Sequence, residues 1–179
     1  MMRWTSAWTV GRDSVPRGLD CVSAWSCSSL AFLLPSKATR LITGFSTTVT
    51  ALKTLDLQYN QIAELPPGVG KLATLQELDL RNNQLSQLPK GLFLLNHLRV
   101  LKLSNNNFTS LPEGVGRLAS LKELYLSGNT LKTLPKSILK MKSLTYVDFQ
   151  DNKFCKTSAE FSAWLKKWDK KWKSTQKCW

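Results

Sequence analysis

Leu52, Leu75, Leu98, Leu121 and Leu144 stand 23 residues apart, and each opens the phrase LxxLxLxxN or a close variant of it. The full-length copies read LKTLDLQYNQIAELPPGVGKLAT, LQELDLRNNQLSQLPKGLFLLNH, LRVLKLSNNNFTSLPEGVGRLAS and LKELYLSGNTLKTLPKSILKMKS. A partial fifth, LTYVDFQDNKF, carries Val147 and Phe149 in place of two leucines. One unit of this length cannot enclose its own apolar side chains, whereas stacked units can. Each leucine buried by stacking contributes roughly 1.5–3 kcal/mol before the entropy of ordering it. The registers agree without an insertion, and about five units exceed the three or so that such an array needs.

Within each unit the apolar period changes. Leu55 and Leu57, Leu78 and Leu80, Leu101 and Leu103, and Leu124 and Leu126 are two apart, so each pair faces one side of a strand. The alternate positions face outward: Thr54, Asp56, Gln58; Glu77, Asp79, Arg81; Val100, Lys102, Ser104; Glu123, Tyr125, Ser127; and Tyr146, Asp148, Gln150. An asparagine follows every strand, at Asn60, Asn83, Asn106, Asn129 and Asn152. Buried amides are costly without partners, so five at one phase predict a ladder bonding the backbone of neighbouring turns. The pairs Leu65-Pro66, Leu88-Pro89, Leu111-Pro112 and Leu134-Pro135 then swing the chain outward, because proline fixes φ and blocks strand pairing. Val69 and Leu72, Leu92 and Leu95, Val115 and Leu118, and Ile138 and Met141 are three apart, the spacing of a helical turn or loose coil.

These phrases, with LPxGVGxLxxLxxLxL, resemble the leucine-rich-repeat family across residues 52–154. The resemblance implies an α/β solenoid: a short right-handed horseshoe with a parallel sheet on the concave face and loops or short helical turns on the convex face. With no cysteine in the repeats, the chain looks most like intracellular proteins of the Ras-pathway scaffold and plant Ras-group type. That implies a cytoplasmic, non-catalytic adaptor in signalling, whose protein partner lies on the concave sheet. The expected partner-binding residues are then Asp56, Gln58, Glu77, Asp79, Arg81, Val100, Lys102, Glu123, Tyr125, Tyr146 and Asp148. Val100, Tyr125 and Tyr146 would anchor the partner, with Asp79, Lys102 and Asp148 setting orientation and encounter rate. The rival reading is an extracellular or secreted recognition module. Such proteins commonly close with cysteine-rich caps, which NKFC followed by AWLKKW resembles without its second nearby cysteine. Both a Cys155–Cys178 disulfide and free thiols stay open.

Charge is uneven. Of the net +13, residues 1–51 carry 5 bases and 2 acids, residues 52–152 carry 12 and 8, and residues 153–179 carry 8 and 2. The excess is therefore +3, +4 and +6, densest in the last segment, and a basic patch of that kind suits an anionic partner or simply solubility. All seven tryptophans also lie outside the repeats. In the tail, Thr157-Ser158-Ala159-Glu160 reads as a capping box, after which Phe161, Trp164, Leu165, Trp168 and Trp172 share one helical stripe. A helix over 158–173 within the segment 155–179 would close the open end of the solenoid. A third reading gives Trp164, Trp168 and Trp172, with their neighbouring lysines, to an anionic membrane surface or to calmodulin. A division of roles would leave Trp172 and Trp179 free.

Residues 1–40 show no repeat phase. Arg12, Asp13, Arg17 and Asp20 interrupt the apolar core a secretory signal needs, and the two acids count against a transit peptide, so an atypical or poorly ordered leader is expected. In residues 41–51, Leu41, Gly44, Phe45 and Val49 match Leu65, Gly68, Val69 and Ala73 at an offset of 24, the mark of a degenerate half-repeat.

No catalytic constellation emerges, and no cofactor is expected. His97 is the only histidine and has no phased Ser or Cys nucleophile. Gly68-Val69-Gly70-Lys71 lacks the spacing of a phosphate loop, and Gly114-Val115-Gly116-Arg117 places these glycines in the repeat's outer turn. Asp56, Asp79 and Asp148 share a phase, but Lys102 and Tyr125 interrupt the column. No Cys and His cluster has zinc spacing, and no element that would read nucleic-acid bases is present. Asn107-Phe108-Thr109 is a glycosylation sequon, relevant to a secreted chain.

Overall fold

The computed structural model describes residues 52–178 and, upstream, the backbone of Ser29–Leu30. Six short strands form one parallel sheet in chain order: β1 (Ser29–Leu30), β2 (Thr54–Asp56), β3 (Glu77–Asp79), β4 (Val100–Lys102), β5 (Glu123–Tyr125) and β6 (Tyr146–Asp148). From β2 onward Thr54, Glu77, Val100, Glu123 and Tyr146 align across the sheet, as the repeat length requires. β1 pairs with β2 through Ser29 and Thr54, so a short piece of the expected leader belongs to the sheet. The half-repeat expected at 41–51 lies outside the described residues, as do Cys21, Cys27, Trp4, Trp8, Trp25 and Trp179.

Three residues beyond the end of each of β2 to β6, one residue enters the left-handed region: Tyr59, Asn82, Asn105, Gly128 and Asp151, with φ between 53° and 67°. That bend turns the next residue, the repeat asparagine, inward. Asn83 shows the pattern. Its Oδ1 accepts from Ile62 N at 3.0 Å, and its Nδ2 donates to Leu57 O at 2.9 Å and Leu80 O at 3.1 Å. Asn106, Asn129 and Asn152 repeat these bonds one unit on. Asn60, in the first unit, donates to Leu57 O and Gln58 O of its own turn. Every buried amide thus joins two repeats, satisfying groups that would otherwise each cost about 1–3 kcal/mol.

The outer side runs through 3-10 turns at Pro67–Lys71, Lys90–Leu94 and Glu113–Arg117, then a four-residue helix α1 (Lys136–Leu139). A proline in extended conformation precedes each. Stacked turns approach backbone to backbone, and a Cβ on Gly70 would run into the carbonyl of Gly91. Ser137 and Leu139 replace those glycines in the last full repeat, and better helix formers give an α turn there. Glu113 fastens it to the preceding turn, its carboxylate accepting from Lys136 N at 3.2 Å and Ser137 N at 3.0 Å.

The last repeat is closed by helix α2 (Ala159–Trp168), shorter than the 158–173 expected. Ser158 is its N-cap, accepting from Phe161 N at 3.2 Å, while Thr157 Oγ1 bonds Ser162 Oγ at 2.6 Å, so no reciprocal box with Glu160 forms. Asp169 is extended, and the chain doubles back through a 3-10 turn at Trp172–Thr175. Trp172 is consequently not free but 2 % exposed, and Phe161 and Leu165 are buried with it. A file of aromatic contacts, Phe149–Phe154–Phe161–Trp164–Trp168, runs from the last repeat along α2 at centroid separations of 5.3–6.2 Å. Cys155 and Cys178 are disulfide-bonded, with Cα atoms 5.5 Å apart.

Candidate functional site

The doubling back of the tail supplies a rung that the sequence pattern did not reveal. Gln176 is 4 % exposed; its Oε1 accepts from Phe154 N and its Nε2 donates to Phe149 O, both at 3.4 Å. These are the bonds an asparagine makes in each earlier turn. Asp151 N donates to Thr175 O at 2.8 Å, just as Gly128 N donates to Gln150 O at 3.0 Å, so the tail end replaces a sixth repeat. The signal was present: Trp172 follows Phe149 by 23 residues, and Gln176 follows Asn152 by 24.

With that end closed, the open face of the sheet presents an ordered array of polar side chains. Three outward residues from each of five turns form its columns, and the structure divides them into two unlike halves. On β2 to β4 every charge but Asp56, which Gln58 bonds, is in an ion pair. Arg81 clasps Asp79 through Nε–Oδ1 at 2.9 Å and Nη2–Oδ2 at 2.6 Å, and it donates to Gln58 Oε1 at 3.1 Å. Gln58 in turn donates to Asp56 Oδ2 at 3.0 Å. Lys102 Nζ meets Glu77 Oε1 at 2.5 Å and Asp79 Oδ2 at 3.7 Å. Asp79 is only 3 % exposed beneath these cations, so it does not stand free to orient a partner, and Lys102 is already engaged. Ser104, expected outward, is also buried and accepts from Ser127 Oγ at 3.0 Å.

On β5 and β6 four neighbouring residues form a block. Glu123 lies beside Tyr146, and Tyr125 beside Asp148. One diagonal is aromatic, with the Tyr125 and Tyr146 rings 5.1 Å apart and tilted by 43°. The other joins the two carboxylates. Tyr125 OH donates to Glu123 Oε2 at 2.9 Å, and Asp148 Oδ1 accepts from Gln150 N at 3.2 Å. Neither carboxylate has a cation within ion-pair distance among the described residues. Burial, then the bond to Glu123 and its charge, pushes the Tyr125 phenol up to about 12, so it stays a neutral donor at physiological pH. Tyr146 is 48 % exposed, one of three large apolar residues in the open among the described residues. Val100 shares the row of Glu123 and Tyr146, two strands from Tyr146, so the expected diagonal of three anchors becomes a pair plus a separate half-buried valine.

The α2 stripe assigned to a membrane or calmodulin faces inward instead, with Trp164 and Trp168 packed against the core. Among the described residues, no helix is long and apolar enough to cross a membrane, and no group of three or more His, Cys, Asp or Glu side chains could hold a metal ion. His97 is exposed, as is Asn107 of the sequon.

The family model described as "Leucine rich repeat" matches residues 50–108, 73–129 and 96–154, together 105 of the 179 residues. No curated protein matches the chain. A solved structure described as the Leptospira interrogans LRR protein LIC12759 is 31 % identical with a TM-score of 0.51, over 68 % of this chain and 37 % of that one. The APL1 leucine-rich repeat domain is 30 % identical with a TM-score of 0.55, over 60 % of this chain and 30 % of that one. The chain thus matches about a third of either protein's length.

Proposed function

This chain belongs to the leucine-rich-repeat family, and on that premise we propose that it is a non-catalytic protein-binding module whose partner docks on the open, concave side of the sheet, at its β5–β6 end. Leucine-rich repeats generally mediate protein–protein interaction. The observation that carries the placement is the contrast across the sheet. On β2 to β4 the ion pairs leave only Asp56 without a cation, and breaking them on docking would cost more than a rim contact returns. On β5 and β6 an aromatic pair, Tyr146 exposed and Tyr125 half-buried, lies between two carboxylates without cations. A partner segment with an arginine or lysine next to an apolar side chain suits that block, its cation above the tyrosine ring and between Glu123 and Asp148.

Affinity capture from native cells with the full chain as bait tests this, with Tyr125→Ala/Tyr146→Ala as the contrast. The expected outcome is loss of captured partners by at least about tenfold with thermal unfolding still cooperative, since central aromatic anchors are each worth about 2 kcal/mol or more. Capture undiminished by the double substitution would move the site elsewhere.

The Cys155–Cys178 bond favours an extracellular or secreted setting over a cytoplasmic scaffold, because disulfides persist where the compartment is oxidising. Peptide mass mapping of the native protein, alkylated with and without reductant, decides it: Cys155 and Cys178 both labelled without reductant would return the chain to the cytoplasm.

A further inference from the structure

The return of the tail gathers charges that a continuous helix would have spread around its axis. Lys166 on α2, Lys170 and Lys171 in the turn, and Lys173 on the following 3-10 turn line one open cleft of about 450 Å³ with Trp172 and Ser174. All four lysines are exposed, as is Lys167, and none of the five has a carboxylate within ion-pair distance among the described residues. Asp169 is the one acid in this stretch, half-buried and accepting from Lys171 N at 2.8 Å. The disulfide, Gln176 and buried Trp172 hold the cleft's wall in place. Mutual repulsion among like charges so fixed is relieved by a bound polyanion.

The surroundings narrow the polyanion's class. Insertion into an anionic membrane needs exposed large apolar side chains, and among the described residues the Phe, Leu and Trp side chains of this segment are buried or partly buried against the core. A groove-binding receptor for amphipathic helices needs the same face and is excluded for the same reason. Single-stranded nucleic acid would need exposed aromatic platforms for its bases, whereas Trp172 forms part of the cleft with almost no accessible surface. Residues 153–179 hold eight lysines and no arginine, so the contacts are compact point charges that respond to charge density rather than to a planar bidentate geometry. We infer that this lysine cleft binds a linear sulfated polysaccharide, recognised by charge density along the cap, independently of the protein-binding face of the sheet.

Binding of the full oxidised chain to immobilised heparin, measured against salt, tests the inference. Lys170→Ser/Lys171→Ser/Lys173→Ser should weaken binding by at least about tenfold and flatten the salt dependence. Lys53→Ser/Lys71→Ser/Lys90→Ser removes the same charge from exposed repeat positions and should change affinity by less than about twofold. Lys170→Glu alone should weaken binding by about threefold, which keeps the test alive if the triple cap variant folds poorly. Equal loss in both triple variants, undiminished binding to the desulfated polysaccharide, or tighter cap-dependent binding to phosphatidylserine vesicles or single-stranded DNA would each overturn the assignment.

Discussion

Five residues at one phase of the repeat occupy left-handed backbone, and four of them are Asn, Gly or Asp, which tolerate it. The fifth is Tyr59, at φ 55° and 68 % exposed, an aromatic side chain in a conformation that costs ordinary residues about 1–2 kcal/mol. Little burial offsets that cost. Tyr59→Asn installs the residue found at Asn82 and Asn105 and should raise stability by about 0.5–1 kcal/mol, seen as a higher urea midpoint at unchanged slope. A lower midpoint would mean that the Tyr59 ring makes contacts worth more than its backbone strain. At this scale the sequence speaks clearly wherever one residue type answers one demand. Asn106 could be placed in the ladder from its phase alone, because a buried amide one repeat from its counterparts Asn83 and Asn129 is satisfied by the backbone of the neighbouring turns. It spoke poorly about Arg81 and Lys102. Their outward direction was readable, but their closure, Arg81 back along its own strand onto Asp79 and Lys102 across to Glu77, depends on the rotamers of long side chains.

Among the elements, the strands and outer turns were legible because leucine, asparagine and proline recur without a slip, and each type has one structural use in the unit. The cap was only half legible. Phe161, Trp164, Leu165, Trp168 and Trp172 fit one helical stripe, yet α2 stops at Trp168 and Trp172 reaches the core from a separate turn. Period alone cannot distinguish the two routes, since both bury the same side chains. What ends the helix is a demand from the last repeat: Phe154 N needs an acceptor, and only a returning chain brings Gln176 to it. Gln176→Ala should therefore lower stability by about 1–3 kcal/mol by orphaning that buried amide. Gln150→Ala, at an exposed outward position, should stay within about 0.5 kcal/mol. Paired urea titrations measure both, and equal effects would remove Gln176 from the ladder.

For the whole molecule, stability passes from repeat to repeat, so an unclosed end lowers every neighbour's protection. At the C-terminal end closure rests on three different attachments: α2 with its aromatic file, the Gln176 rung, and the Cys155–Cys178 bond across a separation of 23 residues. The first two are ordinary packing and hydrogen bonding, present whether or not the cysteines are oxidised. The bond adds restriction of the unfolded chain, about 3 kcal/mol for a loop of this length. Reduction should accordingly lower the melting temperature by several degrees while leaving a cooperative transition, because core and ladder remain. Hydrogen exchange should locate the loss: amides of 156–177 open more readily in the reduced protein, followed by those of the fifth repeat, with β3 and β4 changed least. If reduction instead unfolds all repeats together, the bond is the principal closure and the aromatic file contributes little. If it leaves both melting and exchange unaltered, the packed tail suffices, and the oxidised cysteines matter for holding the lysine cleft rather than for holding the fold.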